Sequence, residues 1–134
     1  MFDIPYHERP YRPCVGIFLI NQHRQVFGGR RIDSRAEAWQ MPQGGIDPGE
    51  TAIEACMREM GEEIGTSAAE LLSEHEGWLY YDIPLPLADR LWDGQYKGQK
   101  QKWMALRFTG NDADIDINTS NPEFCEWRWL SPNE

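Results

Sequence analysis

The sequence predicts a single α+β domain or α/β sandwich, one helix set among strands that pair mostly antiparallel. Three observations carry the prediction. The chain has 134 residues, 40% of them hydrophobic and 26% charged, enough for one hydrophobic core but not for two. Only the stretch 51–65 combines a helical period with start and stop signals. The other apolar stretches are short and rich in β-branched and aromatic residues, as strands are, and joining them in parallel would need crossover helices that the sequence does not offer.

Each element follows in chain order. Residues 14–20 (CVGIFLI) form an apolar run, and 25–28 follow after the polar Asn21-Gln22-His23-Arg24, which reads as two strands joined in a hairpin. A brief apolar stretch, 38–41, is ended by Pro42 and Gly44-Gly45. Asp47-Pro48-Gly49 then supplies dense turn chemistry, so a loop precedes the helix. Thr51 is placed as the N-cap, Glu54 completes a capping box, and Gly65 supplies the stop. Residues 78–83, 102–108 and 126–130 read as further strands, the last with Trp127 and Trp129 on one face. No linker, repeat or low-complexity segment interrupts 1–134, which is read as one domain.

Charge narrows the partners. With 22 Asp and Glu against 13 Lys and Arg, a net charge of −9 argues against gripping duplex DNA or long nucleic acid through a basic face, while leaving a short nucleic-acid end open. No apolar run approaches the roughly 18 residues of a membrane span, and residues 1–10 carry no leader pattern, so the expectation is a soluble, cytoplasmic protein without a membrane partner. Cys14, Cys56 and Cys125 form no CxxC pair and are read as reduced thiols, not as a disulfide or zinc framework. An aromatic content of 12% excludes intrinsic disorder. No residue pattern identifies a protein partner.

At about 100° per residue, Ile53, Cys56, Met57, Met60 and Ile64 share one core-facing arc of the helix. Glu59, Glu62 and Glu63, at i, i+3 and i+4, are assigned to the opposite arc above the small Ala55, facing solvent or a metal. Three like charges repel there and no Lys or Arg stands at the same azimuth, although Arg58 flanks them and can orient a carboxylate through a bidentate pair. Such an oxygen-only cluster suits a hard divalent cation. An acidic helix alone is more often a solvated face, and the loop before it decides between the two.

From Gly44, the segment GGIDPGETAIEACMREMGEEIG resembles the Nudix box, with Gly44, Glu50, Arg58, Glu59, Met60, Glu62, Glu63 and Gly65 at its fixed positions and Thr66 departing from the aliphatic residue preferred at its end. The flanking YRP (11–13), Arg30-Arg31, WQMPQGG (39–45), GQKQKW (98–103), Asn118-Thr119-Ser120 and EWRW (126–129) resemble the bacterial RNA pyrophosphohydrolase branch, also described as dinucleoside polyphosphate hydrolases. The resemblance runs from about 11 to 132. It implies the Nudix fold, an α/β/α sandwich with a mixed sheet. It also implies a basic and aromatic C-terminal helix beyond the WRW segment, which is expected to be absent from a sequence ending at Glu134.

By resemblance, Glu59, Glu62 and Glu63, the Gly44 carbonyl and Glu123 carry Mg²⁺, with Mn²⁺ or another divalent cation as substitutes. The ions bridge phosphate oxygens and acidify a water, and a carboxylate, Glu62 or Glu123, acts as base. Glu50, Arg58 and Gly65 are assigned to shaping the motif. Arg12, Arg31, Gln43, Lys100 and Lys102 are assigned to the polyphosphate or nucleotide, and Tyr81 to stacking on a base, an alternative to packing within its strand. Trp39, Trp103, Trp127 and Trp129 are read as core, Cys56 as inert packing, and the histidines receive no role. The activity so implied is phosphoanhydride hydrolysis in a 5′-triphosphorylated RNA end or a dinucleoside polyphosphate. A non-catalytic binding module and an acidic interaction domain are the competing classes.

Overall fold

The computed structural model describes residues 5–32, 39–119 and 122–131. Its strands are β1 (Tyr11–Ile20), β2 (Val26–Arg31), β3 (Trp39–Gln40), β4 (Gln43–Gly45), β5 (Ala69–Glu74), β6 (Leu79–Asp82), β7 (Gly98–Phe108) and β8 (Phe124–Leu130), with helices α1 (Ala52–Ile64) and α2 (Leu85–Ala88) between them. The centre of the sheet is a parallel pair, β1 against β7, running from Tyr11 opposite Gly98 to Ile20 opposite Arg107. Every other pairing among the described residues is antiparallel. The sheet is thus mostly antiparallel, as expected, and mixed, as the resemblance implies; among the described residues the one long helix lies within the crossover that the single parallel pair needs.

The predicted hairpin forms and then opens. The Asn21 side-chain oxygen accepts from the N–H groups of His23 and Gln25, both at 2.9 Å, with Arg24 in the left-handed region at φ 61°. Beyond Ile20 opposite Val26, β1 leaves β2 and pairs with β4, while β2 pairs with β3 and β8. The loop expected before the helix thus follows a short strand, β4, at the glycines read as ending the apolar stretch, and Ala38 lies outside the described residues. β5 was not foreseen, because its AELLSE sequence leaves every residue after Ala69 exposed and shows no alternation.

Val15, Ile17 and Leu19 of β1, Met104 and Leu106 of β7, Phe27 of β2, and Ala55, Cys56, Met60 and Ile64 of α1 are fully buried in one core. Trp127 and Trp129 pack on Phe27 at 5.5 and 6.2 Å, as expected of core residues. Trp39 and Trp103 do not join them. Trp103 covers Gly16 so closely that a Cβ there would overlap the indole, and Trp39 carries the Arg128 guanidinium 4.5 Å from its ring centre. Burial pushes the Cys56 thiol up to about 12, consistent with inert packing.

Helix α1 begins and ends where its sequence says. Thr51 Oγ1 accepts from the Glu54 N–H at 3.2 Å, and the Glu54 carboxylate accepts from the Thr51 N–H at 2.9 Å. Gly65, at φ 78°, closes the helix in the left-handed region, where a Cβ would also strike the Asp116 backbone. Among the described residues the only other α-helix is the single turn α2, so the second helical layer of an α/β/α sandwich is not found there. No helix among them is long and apolar enough to cross a membrane.

Candidate active site

The loop between β4 and α1 is tied to the helix by one guanidinium. Arg58 donates to Glu50 through Nε at 2.8 Å and Nη2 at 3.0 Å, to the Gly45 carbonyl at 2.8 Å, and through Nη1 to Glu59 at 2.8 Å and Glu62 at 3.1 Å. Glu50 also accepts the Asp47 N–H at 2.9 Å, and Arg58 holds its carboxyl down to about 2. Arg58 thus orients a carboxylate as expected, and although it stands at another azimuth its long side chain also reaches two of the repelling glutamates.

The three helix glutamates are not equivalent. Glu62 is well exposed, whereas the Glu59 side chain is 12% exposed and Glu63 only 7%. Of the two surroundings expected for Glu59 and Glu63, solvent or a metal, bulk solvent is therefore excluded, and Glu63 lies at the margin of the core rather than on the opposite arc. Burial, then the neighbouring Glu59 and Glu123 charges, push the Glu63 carboxyl up to about 8. Burial raises Glu59 as well, against the pull of Arg58. Glu63 Oε2 is buried without a hydrogen-bond partner among the described residues. On the β4 side, a Cβ on Gly44 would collide with the Glu59 carboxyl, so only glycine lets that strand and carboxylate approach so closely.

Glu123 arrives from the entry to β8. Its carbonyl accepts the Ile32 N–H at 3.0 Å, and its carboxylate pairs with Arg31 at 3.3 Å, beside a bulge where β2 meets β8. Glu59, Glu62, Glu63, Glu123 and Gly44 line one part of a cavity of about 540 Å³. Arg12, Arg31, Gln43 and Tyr81 line the rest. Gln43 accepts from Gln101 Nε2 at 2.6 Å, and the Tyr81 hydroxyl donates to Gln99. Lys100 and Lys102 are not brought to this cavity. Alternation on β7 turns them away from Gln99, and their ammonium groups lie 4.6 and 5.5 Å from the Trp78 ring centre. Four lining residues are not among those assigned from the sequence: Cys14, Gly45, Gln99 and Trp92. Gln99 stands inside the GQKQKW motif and was within reach, whereas no periodicity marks Trp92.

The donor set is hard oxygen throughout, one buried carboxylate oxygen lacks any partner among the described residues, and the Gly44 cradle brings backbone to carboxylate. These features fit a hard divalent cation. Arg12 and Arg31 line the same cavity, so the cleft has the chemistry of a hydrolase that handles polyphosphates. The NUDIX domain model matches residues 10–134, and the chain belongs to the Nudix family.

Relatives refine the picture. The chain is 54% identical over 129 residues to the RNA pyrophosphohydrolase of Rickettsia typhi, covering 96% of this chain and 80% of that one. It is 55% identical over 125 residues to the RNA pyrophosphohydrolase of Rickettsia canadensis, covering 93% and 78%. Among solved structures, the E. coli dihydroneopterin triphosphate pyrophosphohydrolase superposes with a TM-score of 0.66 at 22% identity, covering 91% of this chain and 83% of that one. A C. elegans Ap4A hydrolase superposes at 0.59 and 17% identity, covering 87% and 78%. These two show a shared fold.

Proposed function

We propose that this chain removes pyrophosphate from 5′-triphosphorylated RNA ends. One observation carries the reading: a single cavity is lined by Glu59, Glu123 and the buried Glu63 carboxyl, one oxygen of which has no partner among the described residues, together with Arg12 and Arg31. The RNA pyrophosphohydrolase relatives at about 54% identity support it. Dinucleoside polyphosphates form a second substrate class, because they present the same run of phosphates beside an unpaired base. A binding module without catalysis has no use for keeping three repelling glutamates at the cavity.

Glu59, Glu62, Glu63, the Gly44 carbonyl and Glu123 are the residues to hold divalent cations, Mg²⁺ first, which when bound supply Lewis-acid polarisation of phosphoryl oxygens and acidify a water. Arg12 and Arg31 bind and orient the phosphates. Water adds to phosphorus as the anhydride bond between the α- and β-phosphates breaks. Pyrophosphate leaves, a 5′-monophosphate remains, and the proton of the water passes to a carboxylate oxygen, for which Glu62 and Glu123 are the candidates. Tyr81 and Gln43 line the approach.

The test is a product assay with Mg²⁺ on a triphosphorylated RNA oligonucleotide and diadenosine tetraphosphate side by side, with Glu59→Gln as control. Pyrophosphate release from the RNA, lost in the control, is the expected result. Faster cleavage of the dinucleotide selects the second substrate class. Binding of both without product would overturn the hydrolase reading.

A further inference from the structure

Arg12 differs from Arg31, which lines the same cavity, and from Arg58 behind the glutamates in how it is held. Arg58 is paired with Glu50, Glu59 and Glu62, and Arg31 with Glu123. Arg12 makes no ion pair among the described residues. Its guanidinium carbon lies 4.9 Å from the centre of the Trp92 ring, its Nη1 donates to Cys14 Sγ at 3.2 Å, and a Cβ on Gly45 would overlap its Nη2. An aromatic face holds a cation without cancelling its charge, whereas a carboxylate would cancel it and compete with an incoming phosphate.

The segment between β6 and β7 is built to deliver that ring. Its base is tied down by the Tyr6 hydroxyl donating to the Ile83 carbonyl at 2.7 Å and by the Arg9–Asp89 ion pair at 2.7 Å, in which Arg9 is buried. At its tip, Trp92 (φ 48°, ψ 39°) and Asp93 (φ 57°, ψ 29°) both adopt left-handed backbone, followed by Gly94 at φ 71°. Two adjacent non-glycine residues in that region are held against their preference by the rest of the structure, as happens where a side chain must be aimed. Tyr96 packs edge-on against the indole at 5.8 Å and fixes its plane.

We propose that Trp92 is a positioning residue that presents the Arg12 guanidinium, uncancelled in charge, to the phosphates of the substrate. This rests on the reading of the cavity as a polyphosphate site and deepens it. Three consequences follow. Trp92 acts through Arg12 and not on substrate. Its aromatic face matters more than its bulk. Its loss weakens substrate capture, raising KM, and leaves kcat nearly unchanged.

The experiment compares Trp92→Phe with Trp92→Leu, each with Arg12 present and with Arg12→Ala, the melting temperature of every variant confirming its fold. Two quantities are read: steady-state kinetics on triphosphorylated RNA, and calorimetric affinity for inorganic tripolyphosphate with Mg²⁺. With Arg12 present, Trp92→Phe is expected within about threefold of the parent, and Trp92→Leu about tenfold weaker in KM and in tripolyphosphate affinity. With Arg12→Ala the two Trp92 variants become equal. A Phe–Leu gap that persists without Arg12 would overturn the proposal, since the ring would then touch the ligand itself. Equal Phe and Leu variants with Arg12 present would overturn it too. If the parent protein binds tripolyphosphate but fails to release pyrophosphate from RNA, the proposed activity falls while the tripolyphosphate cycle still decides the role of Trp92.

Discussion

Replacing Glu63 by Gln should change how stability depends on pH in the metal-free protein. The Glu63 carboxyl sits at about 8 in the folded chain, through burial and the nearby Glu59 and Glu123, against an ordinary value of 4.5. The folded value is raised, so the stabilisation is complete below the unfolded pKa and is lost as pH rises through 8. Between those values the native state holds one proton that the unfolded chain has released. That costs about 1.4 kcal/mol per pH unit, or roughly 4 kcal/mol from pH 5 to 8. For a domain of this size each kcal/mol is worth about 4 °C, so the melting temperature of the parent should fall by more than about ten degrees across that range. The amide of the Glu63→Gln variant has no proton to lose, and the variant's profile should be flatter by this amount, other titrations being common to both proteins. The assay is urea and thermal unfolding in chelator at four pH values from about 5 to 8.5, which span the window. Parallel profiles for the two proteins would refute the buried-carboxyl reasoning. Mg²⁺ should stabilise the parent increasingly as pH rises, because cation and proton compete for the same oxygens.

Arg58→Met should cost on the order of 3 kcal/mol in urea unfolding, since it leaves Glu50, the mostly buried Glu59 and the Gly45 carbonyl without their donor. An unchanged unfolding midpoint would show that the loop is held by other means. Gly44→Ala should lower kcat/KM on triphosphorylated RNA at least about a hundredfold with the fold retained, because the new methyl displaces the Glu59 carboxyl. Near-parental turnover would remove Glu59 from the machinery. Phe27→Ala should cost about 3–5 kcal/mol in unfolding free energy, as its fully buried ring meets Phe124, Trp127 and Trp129.

What could be read from the sequence was what depends on near neighbours along the chain. The ends of α1 rest on Thr51, Glu54 and Gly65, all within reach of the backbone they cap, and were legible. The Trp127–Trp129 face was legible because alternation is local. The β1–β7 pair joins residues 87 positions apart, from Tyr11 to Gly98, and the pattern of either strand alone is silent on direction. β5 left no trace because its pairing with β7 is made by backbone while its side chains stay exposed.

The same distinction governs the candidate site. Gly44, Glu59, Glu62 and Glu63 come from one contiguous motif, and the structure assembles them with Glu123, which depends on where β2 meets β8. The glutamates were nonetheless misread in detail, and the reason is angular. Glu63 falls about 20° from Cys56 on the helical wheel, at the margin of the core stripe, so burial was implied by its own azimuth. Arg58 falls about 40° from Glu62, close enough for a long side chain to cross. Lys100 and Lys102 were drawn to the site by motif membership alone, yet on a strand successive residues face opposite ways, and the neighbour that lines the cavity is Gln99. Trp92 is the opposite case. No helical or strand period places it; a left-handed turn aims it, and its value lies in holding a cation whose charge remains free for phosphate.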